Sequence, residues 1–165
     1  MILRKAHMNE AKAAFQCIED AKAYQKSLGF VQWDERYPLL QTVEEDIEKE
    51  VGFVFEENNE ILGYCCIFIG DELDYHVIDG AWKTDQPYAV IHRMAFSKHS
   101  RGKGLSVQAF SLIKDYCLEH GIDAVRIDTH EANKVMQRVL DKNGFLYCGG
   151  VSVGGKPRIG YEWDR

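Results

Sequence analysis

Apolar residues recur along this chain at two periods, and the switches between the periods mark out its elements. Ile2–Ala6 alternates like a short strand. From Glu10 to Leu28, Ala11, Ala14, Ile18, Ala21 and Leu28 fall at helical spacing, one apolar stripe that Gly29 should stop. An aromatic stretch, Phe30–Leu40, is broken by Pro38, and a charged helix is expected over Val43–Glu50. Gly52–Phe55 and Ile61–Ile69 read as strands joined through Asn58-Asn59, which is favourable hairpin chemistry. Gly70–Gln86 is polar and aperiodic, a loop with one short strand. Tyr88–Phe96 is a strand, and Gly104–His120 is a helix turning Leu105, Ala109, Leu112, Ile113 and Tyr116 inward. Ala124–Thr129 (strand), Asn133–Asn143 (helix, ended by Gly144), Phe145–Cys148 and Arg158–Trp163 (strands) complete the series. That order predicts an α/β fold with a mixed, largely antiparallel sheet.

Composition narrows the class. The chain has 165 residues, 45% of them hydrophobic and 28% charged, with no internal repeat and no break in composition. One domain spanning residues 1–165 is therefore expected. Met1–Asp20 scatters charges among short apolar pairs, a pattern that fits neither a signal peptide nor a membrane span, so a cytoplasmic protein is expected. Cys17, Cys65, Cys66, Cys117 and Cys148 are an odd number without C-x-x-C spacing, which argues for reduced, buried thiols rather than disulfides or zinc. The six histidines are dispersed, and no metal site is expected. A net charge of −6 with no Lys/Arg run argues against nucleic acid as a partner. The acid excess in Glu44–Glu50 and Glu56–Glu60 reads as solvated faces, and its field favours cationic partners such as amines.

The stretch with the most chemistry is Val90–Val107, VIHRMAFSKHSRGKGLSV. A hydrophobic strand runs into a basic, glycine-containing turn that opens directly into a helix. Helix N-termini leave backbone N–H groups unpaired and carry partial positive charge. Gly102 and Gly104 allow an anion close to the backbone, while Arg101 and Lys103 add charge. The turn lacks the spacing of a Walker loop or of a dinucleotide fingerprint. On the local pattern alone, a surface turn that merely caps a helix fits as well.

The segment resembles the acyl-CoA-binding motif of the GNAT superfamily, R/Q-x-x-G-x-G/A at a strand–helix junction. Arg101, Gly104 and Ser106 occupy those three positions, Ser106 departing from the usual Gly or Ala. A second block, Asn133-Lys-Val-Met-Gln-Arg-Val-Leu-Asp-Lys-Asn-Gly144-Phe145, is similar to the family's downstream helix. The resemblance implies the GNAT fold, with helices flanking the sheet and strands splayed at an acyl-CoA cleft. It implies acetyl-CoA as cofactor, CoA as product, and N-acetyl transfer to a primary amine of a small molecule or peptide. Met94, Ala95 and Phe96 would offer backbone groups to the pantetheine arm. Arg101, Gly102, Lys103, Gly104, Leu105, Ser106 and Val107 would hold the pyrophosphate, with Asn133 nearby. A homodimer is also consistent with the family.

Proton transfer ranks the catalytic candidates. An alkylammonium must lose its proton before attack, at a cost of about 4.6 kcal/mol at neutral pH, against about 2 kcal/mol for departure of a thiolate. A base therefore matters more than an acid. His92 lies two residues before Met94, so simple alternation puts both on one face unless the strand irregularity that the family carries here intervenes, and in the arylalkylamine branch of the family a His at this offset belongs to the proton relay. A hydrogen-bonded core histidine explains it equally well. Arg93, facing the other way, reads as an ion-pair partner. Many relatives carry a Tyr acid seven residues after the Asn, where this chain has Leu140; Tyr147 and His130 are the substitutes by neighbourhood. Trp33, Glu35 and Tyr37 follow the first helix. The family places the acceptor wall there, which would make Trp33 and Tyr37 substrate-binding and Glu35 a water-mediated base; core plugs or dimer contacts are the alternative. Two other functions stay open: a non-catalytic acyl-CoA-binding module on the same fold, and a phosphate- or nucleotide-binding protein that uses the glycine turn differently.

Overall fold

The structure, a computed structural model, describes residues 1–165. In chain order its elements are β1 (Ile2–Lys5), α1 (Ala11–Ser27), α2 (Leu40–Glu48), β2 (Gly52–Glu57), β3 (Glu60–Ile69), β4 (Ile78–Gly80), β5 (Tyr88–Phe96), α3 (Leu105–Glu119), β6 (Ala124–Thr129), α4 (Lys134–Lys142), β7 (Leu146–Val153) and β8 (Lys156–Asp164). The strands form one sheet in the order β1-β2-β3-β5-β6-β8-β7-β4. The β5–β6 pair is parallel, whereas β1–β2, β2–β3, β6–β8, β7–β8 and β4–β7 are antiparallel. The α/β class and the mixed, largely antiparallel sheet match the sequence expectation.

The chain divides into two compact units, Met1–Ile67 with His92–Leu112, and Phe68–Ile91 with Ile113–Arg165. In the first, α1 and α2 bury Ala11, Ala14, Cys17, Ile18 and Val43 with Val54, Tyr64 and Ala95. In the second, Tyr75, Val90 and Val151 pack with Phe68, Ile78, Trp82 and Tyr88. All five cysteines are free and buried, as expected. Burial pushes the thiols of Cys17, Cys66 and Cys117 up to about 12, so none of those three is a nucleophile at neutral pH. No helix is long and apolar enough to cross a membrane.

Several boundaries moved for identifiable reasons. Helix α2 begins at Leu40, ahead of Val43, because the Thr42 hydroxyl accepts from the Leu39 N–H at 3.1 Å and caps the first turn. On α3 the buried residues are Ala109, Phe110, Ile113 and Cys117, while Leu105, Leu112 and Tyr116 are only partly covered. The stripe is therefore rotated by about one position from the expected one. Strand β7 runs on to Val153 and β8 starts at Lys156, since Gly154 and Gly155 (φ 57° and 76°) close a two-residue hairpin. The acidic runs are not wholly solvated. Asp46 is 6% exposed, and Glu56 sits against Arg4, which also pairs with Glu10.

Candidate functional site

Strand β5 is regular only in its first half. Its parallel ladder to β6 runs from Tyr88↔Ala124 to Ile91↔Ile127 and pairs no residue after Ile91, although β5 continues to Phe96. Two residues beyond the end of that ladder, Arg93 adopts φ 55°, the left-handed region that an arginine enters only at a cost of about 1–2 kcal/mol. At this break simple alternation along β5 stops: His92 is partly buried beside an intermediate Arg93, and Met94 and Ala95 are both buried.

The side chain of Arg93 explains how the break is held. Its Nε and Nη2 donate to the Asp46 carboxylate at 2.9 and 2.6 Å, and the Tyr64 hydroxyl donates to the same carboxylate at 2.6 Å. The pair is well covered, at 13% and 9% side-chain exposure. Burial alone would lower the Arg93 guanidinium, but Cys66, Tyr37 and the Asp46 carboxylate hold it above its ordinary value. Nη1 donates to the Tyr37 hydroxyl at 2.8 Å. Beyond the break, β3 comes very close: a Cβ on Gly63 would lie 2.7 Å from the Phe96 ring and 2.8 Å from the Ala95 carbonyl. Only glycine fits there. Phe96 stacks on Phe55 with centroids 5.4 Å apart.

The glycine turn follows. Gly102 and Gly104 have φ 77° and 70°, and a Cβ on either would meet nothing within 4 Å, so the turn is both left-handed and open. Val107 N–H closes a tight turn onto Gly104 O at 3.2 Å, while the start of α3 leaves the Leu105 and Ser106 amides without intrahelical acceptors. The turn is fastened to α1. Asp20 accepts from the Lys98 N–H at 2.8 Å, and Arg101 donates to the Asp20 carbonyl at 3.0 Å with its guanidinium 4.1 Å above the Tyr24 ring. The Arg101 side chain thus anchors the turn, and Lys103 and the backbone amides remain for an anion.

The other expected residues fall as follows. Glu35 and Tyr37 are exposed in the loop after α1, whereas Trp33 packs against the first core, closer to the core-plug reading. In the second unit, the His130 Nδ1 accepts from the Ala132 N–H at 3.0 Å, which leaves its proton on Nε2. Asn133 is 9% exposed, and its Oδ1 accepts from the Met136 N–H at 3.1 Å, capping α4. Tyr147 is 56% exposed, edge-on to Tyr161 at 5.7 Å. Leu140 is fully buried. Sequence reasoning missed Asp46, Asp20 and Tyr24. A signal existed for Asp46, an acid three residues after Val43 on the apolar stripe of α2; none existed for the Asp20–Tyr24 clamp.

The donor set suits acetyl-CoA: an open left-handed glycine turn at a helix start for the pyrophosphate, and a strand released from its parallel neighbour for a pantetheine amide. A broad comparison agrees. The sequence profile of the Acetyltransferase (GNAT) family matches residues 14–145. A GNAT-family acetyltransferase from Streptococcus agalactiae is 33% identical over 99% of this chain and 94% of its own, with a TM-score of 0.88. A Staphylococcus aureus structure described as a putative acetyltransferase is 28% identical, covers 99% of both chains and has a TM-score of 0.74. An aminoglycoside acetyltransferase in complex with coenzyme A and kanamycin shares the fold, at 18% identity, a TM-score of 0.72 and coverage of 99% of this chain and 94% of that one. No curated protein sequence matches. The profile covers well over half of the chain and the streptococcal relative nearly all of it, so this protein belongs to the GNAT acetyltransferase family.

Proposed function

We propose that the protein transfers an acetyl group to a primary amine of a small molecule or peptide by direct attack, working as one domain over residues 1–165 in the cytoplasm. The observation that carries this reading is the left-handed break at Arg93, where β5 leaves its parallel ladder just before an open glycine turn. Residues Gly102–Ser106 would hold the pyrophosphate, and the backbone of Met94, Ala95 and Phe96 the pantetheine arm, with Asn133 a further candidate for the cofactor. Bound acetyl-CoA supplies an activated acetyl thioester.

The chain's own residues then have two tasks. His92 takes the proton from the acceptor ammonium, the costlier of the two proton movements. Glu35, exposed in the loop after α1, receives it through water. The amide near Met94 polarises the carbonyl, the oxyanion-hole device. The exposed Tyr147 is the candidate to return a proton on the leaving side, with His130 the alternative by neighbourhood. Raised thiol pKa values at Cys17, Cys66 and Cys117 favour direct attack over a cysteine-bound intermediate. The fully buried Leu140 supports a second reading, a non-catalytic acyl-CoA-binding module.

Both readings need the cofactor site, which thermal unfolding probes. Acetyl-CoA should raise the melting temperature of the wild type by mass action. Gly104→Glu should cost about 1–2 kcal/mol, since φ 70° is strained for any L side chain, yet keep the fold because nothing lies within 4 Å of the added Cβ, and it should abolish that rise by placing a carboxylate where the pyrophosphate would sit. A rise that persists in Gly104→Glu places the pyrophosphate elsewhere.

A further inference from the structure

Two tyrosines meet the Asp46–Arg93 pair, and the pair uses them in opposite ways. Tyr64 is fully buried and donates its hydroxyl hydrogen to Asp46 at 2.6 Å, so its donor is consumed inside the core. Burial, together with the Asp46 charge, raises its pKa, which keeps it a neutral phenol. Tyr37 is the reverse. A guanidinium has only donors, so in the 2.8 Å contact with Arg93 Nη1 the Tyr37 oxygen must accept. Its own O–H then points away from Arg93. Tyr37 is 46% exposed, so that hydrogen is presented at the surface rather than to the core. The bond is charge-assisted, which polarises the phenol and strengthens its O–H as a donor.

The placement gives this donor a purpose. Arg93 is the residue at the break of β5, between His92 and Met94 in the chain, so the Tyr37 hydroxyl is tied by one hydrogen bond to the side chain of the break residue. The Arg93 charge is already balanced by a bidentate carboxylate, and Glu35 lies exposed in the same loop. A carboxylate on the acceptor would find no unpaired cation at Tyr37. A neutral oxygen would find a ready donor.

We infer that Tyr37 is a specificity-determining residue that donates a hydrogen bond to a neutral oxygen, hydroxyl or carbonyl, of the amine acceptor, and that Arg93, locked by Asp46, is the positioning residue that fixes its polarity. The inference rests on the acetyltransferase reading. Arg93 touches neither acceptor nor cofactor side chains in this account; it acts through the direction it imposes on the phenol.

Ethanolamine and propylamine test it, being nearly isosteric and differing by one hydroxyl. With the wild-type protein, kcat/KM for ethanolamine should exceed that for propylamine about tenfold, the size of one well-made hydrogen bond. In Tyr37→Phe the ratio should fall to about one, through KM for the amine, with KM for acetyl-CoA unchanged. Arg93→Lys keeps the charge but loses the fork that serves Asp46 and Tyr37 together, and should collapse the ratio as well. The Tyr37→Phe/Arg93→Lys double variant should fall no further than either single one, as expected of two residues acting through one bond. A wild-type ratio near one, or a ratio that survives Tyr37→Phe, overturns the inference and leaves the acetyltransferase reading standing. No turnover with either amine also overturns the inference, whereas the acetyltransferase reading falls only if a broad amine panel releases no thiol while acetyl-CoA still raises the melting temperature.

Discussion

The two units each bury an arginine against a carboxylate, yet the two pairs do different things. In the second unit, Arg126 and Glu162 are direct cross-strand partners of the β6–β8 ladder, with Nε 3.5 Å from Oε1. The Arg126 guanidinium lies between the rings of Trp82 and Tyr88, at 4.6 and 3.8 Å, and donates to the Thr84 carbonyl at 2.7 Å. Glu162, fully buried, accepts from the Lys83 N–H and the Thr84 hydroxyl at 2.7 and 2.9 Å. Every partner belongs to the loop before β5 or to the sheet, so the cluster pins that loop down. In the first unit, Arg93 stands on a strained backbone and one of its donors leaves the core for an exposed tyrosine. A buried arginine beside a carboxylate is thus static on a regular strand and becomes a means of presenting a side chain at a broken one.

Breaking the static pair should have the larger effect on stability. Glu162→Ala strands a buried guanidinium and should cost about 3–5 kcal/mol, read as a lower denaturation midpoint in urea. A loss below about 1 kcal/mol would mean that the aromatic rings alone hold Arg126 and that the two pairs are not comparable. A smaller but sharper contrast lies in the backbone. At Arg93, the φ of 55° should make Arg93→Gly more stable than Arg93→Ala by about 1 kcal/mol. At Arg126, on a regular strand, the order should reverse, with Gly worse than Ala by about 0.5–1 kcal/mol. The same order at both positions would remove strain from the account of the first unit.

Most of the fold was legible because its signals are local. Asn58 and Asn59 both take positive φ (52° and 64°) at the hairpin the dipeptide indicates, and β5 spans the Tyr88–Phe96 segment that its hydrophobicity marks. The Gly154-Gly155 turn carries an equally local signal, and β7 and β8 extend up to it, beyond the Phe145–Cys148 and Arg158–Trp163 segments that hydrophobicity marks. The site was legible where a motif marks it, at Arg101–Ser106, and illegible where distant residues meet. The stripe of α2 carries Asp46 inward, three residues after Val43, but nothing local names its partner on a strand 47 residues away. Charge composition describes a helix as a whole, whereas burial is decided residue by residue by its stripe. Alternation between His92 and Met94 holds only along an unbroken pleat, and the Arg93 break that interrupts it is held by a partner that sequence proximity does not reveal. Arg93 itself was read correctly as an ion-pair partner.

The most direct test of the central claim is the release of free thiol from acetyl-CoA as a function of added amine, measured for the wild-type protein and for His92→Ala. The account predicts amine-dependent release by the wild type, a kcat lowered about 100-fold or more in His92→Ala, and little change in acetyl-CoA affinity. Amine-dependent release at an undiminished rate in His92→Ala would contradict the assignment of the base. Tight acetyl-CoA binding with no release across a broad amine panel would contradict the transferase itself and favour the acyl-CoA-binding module.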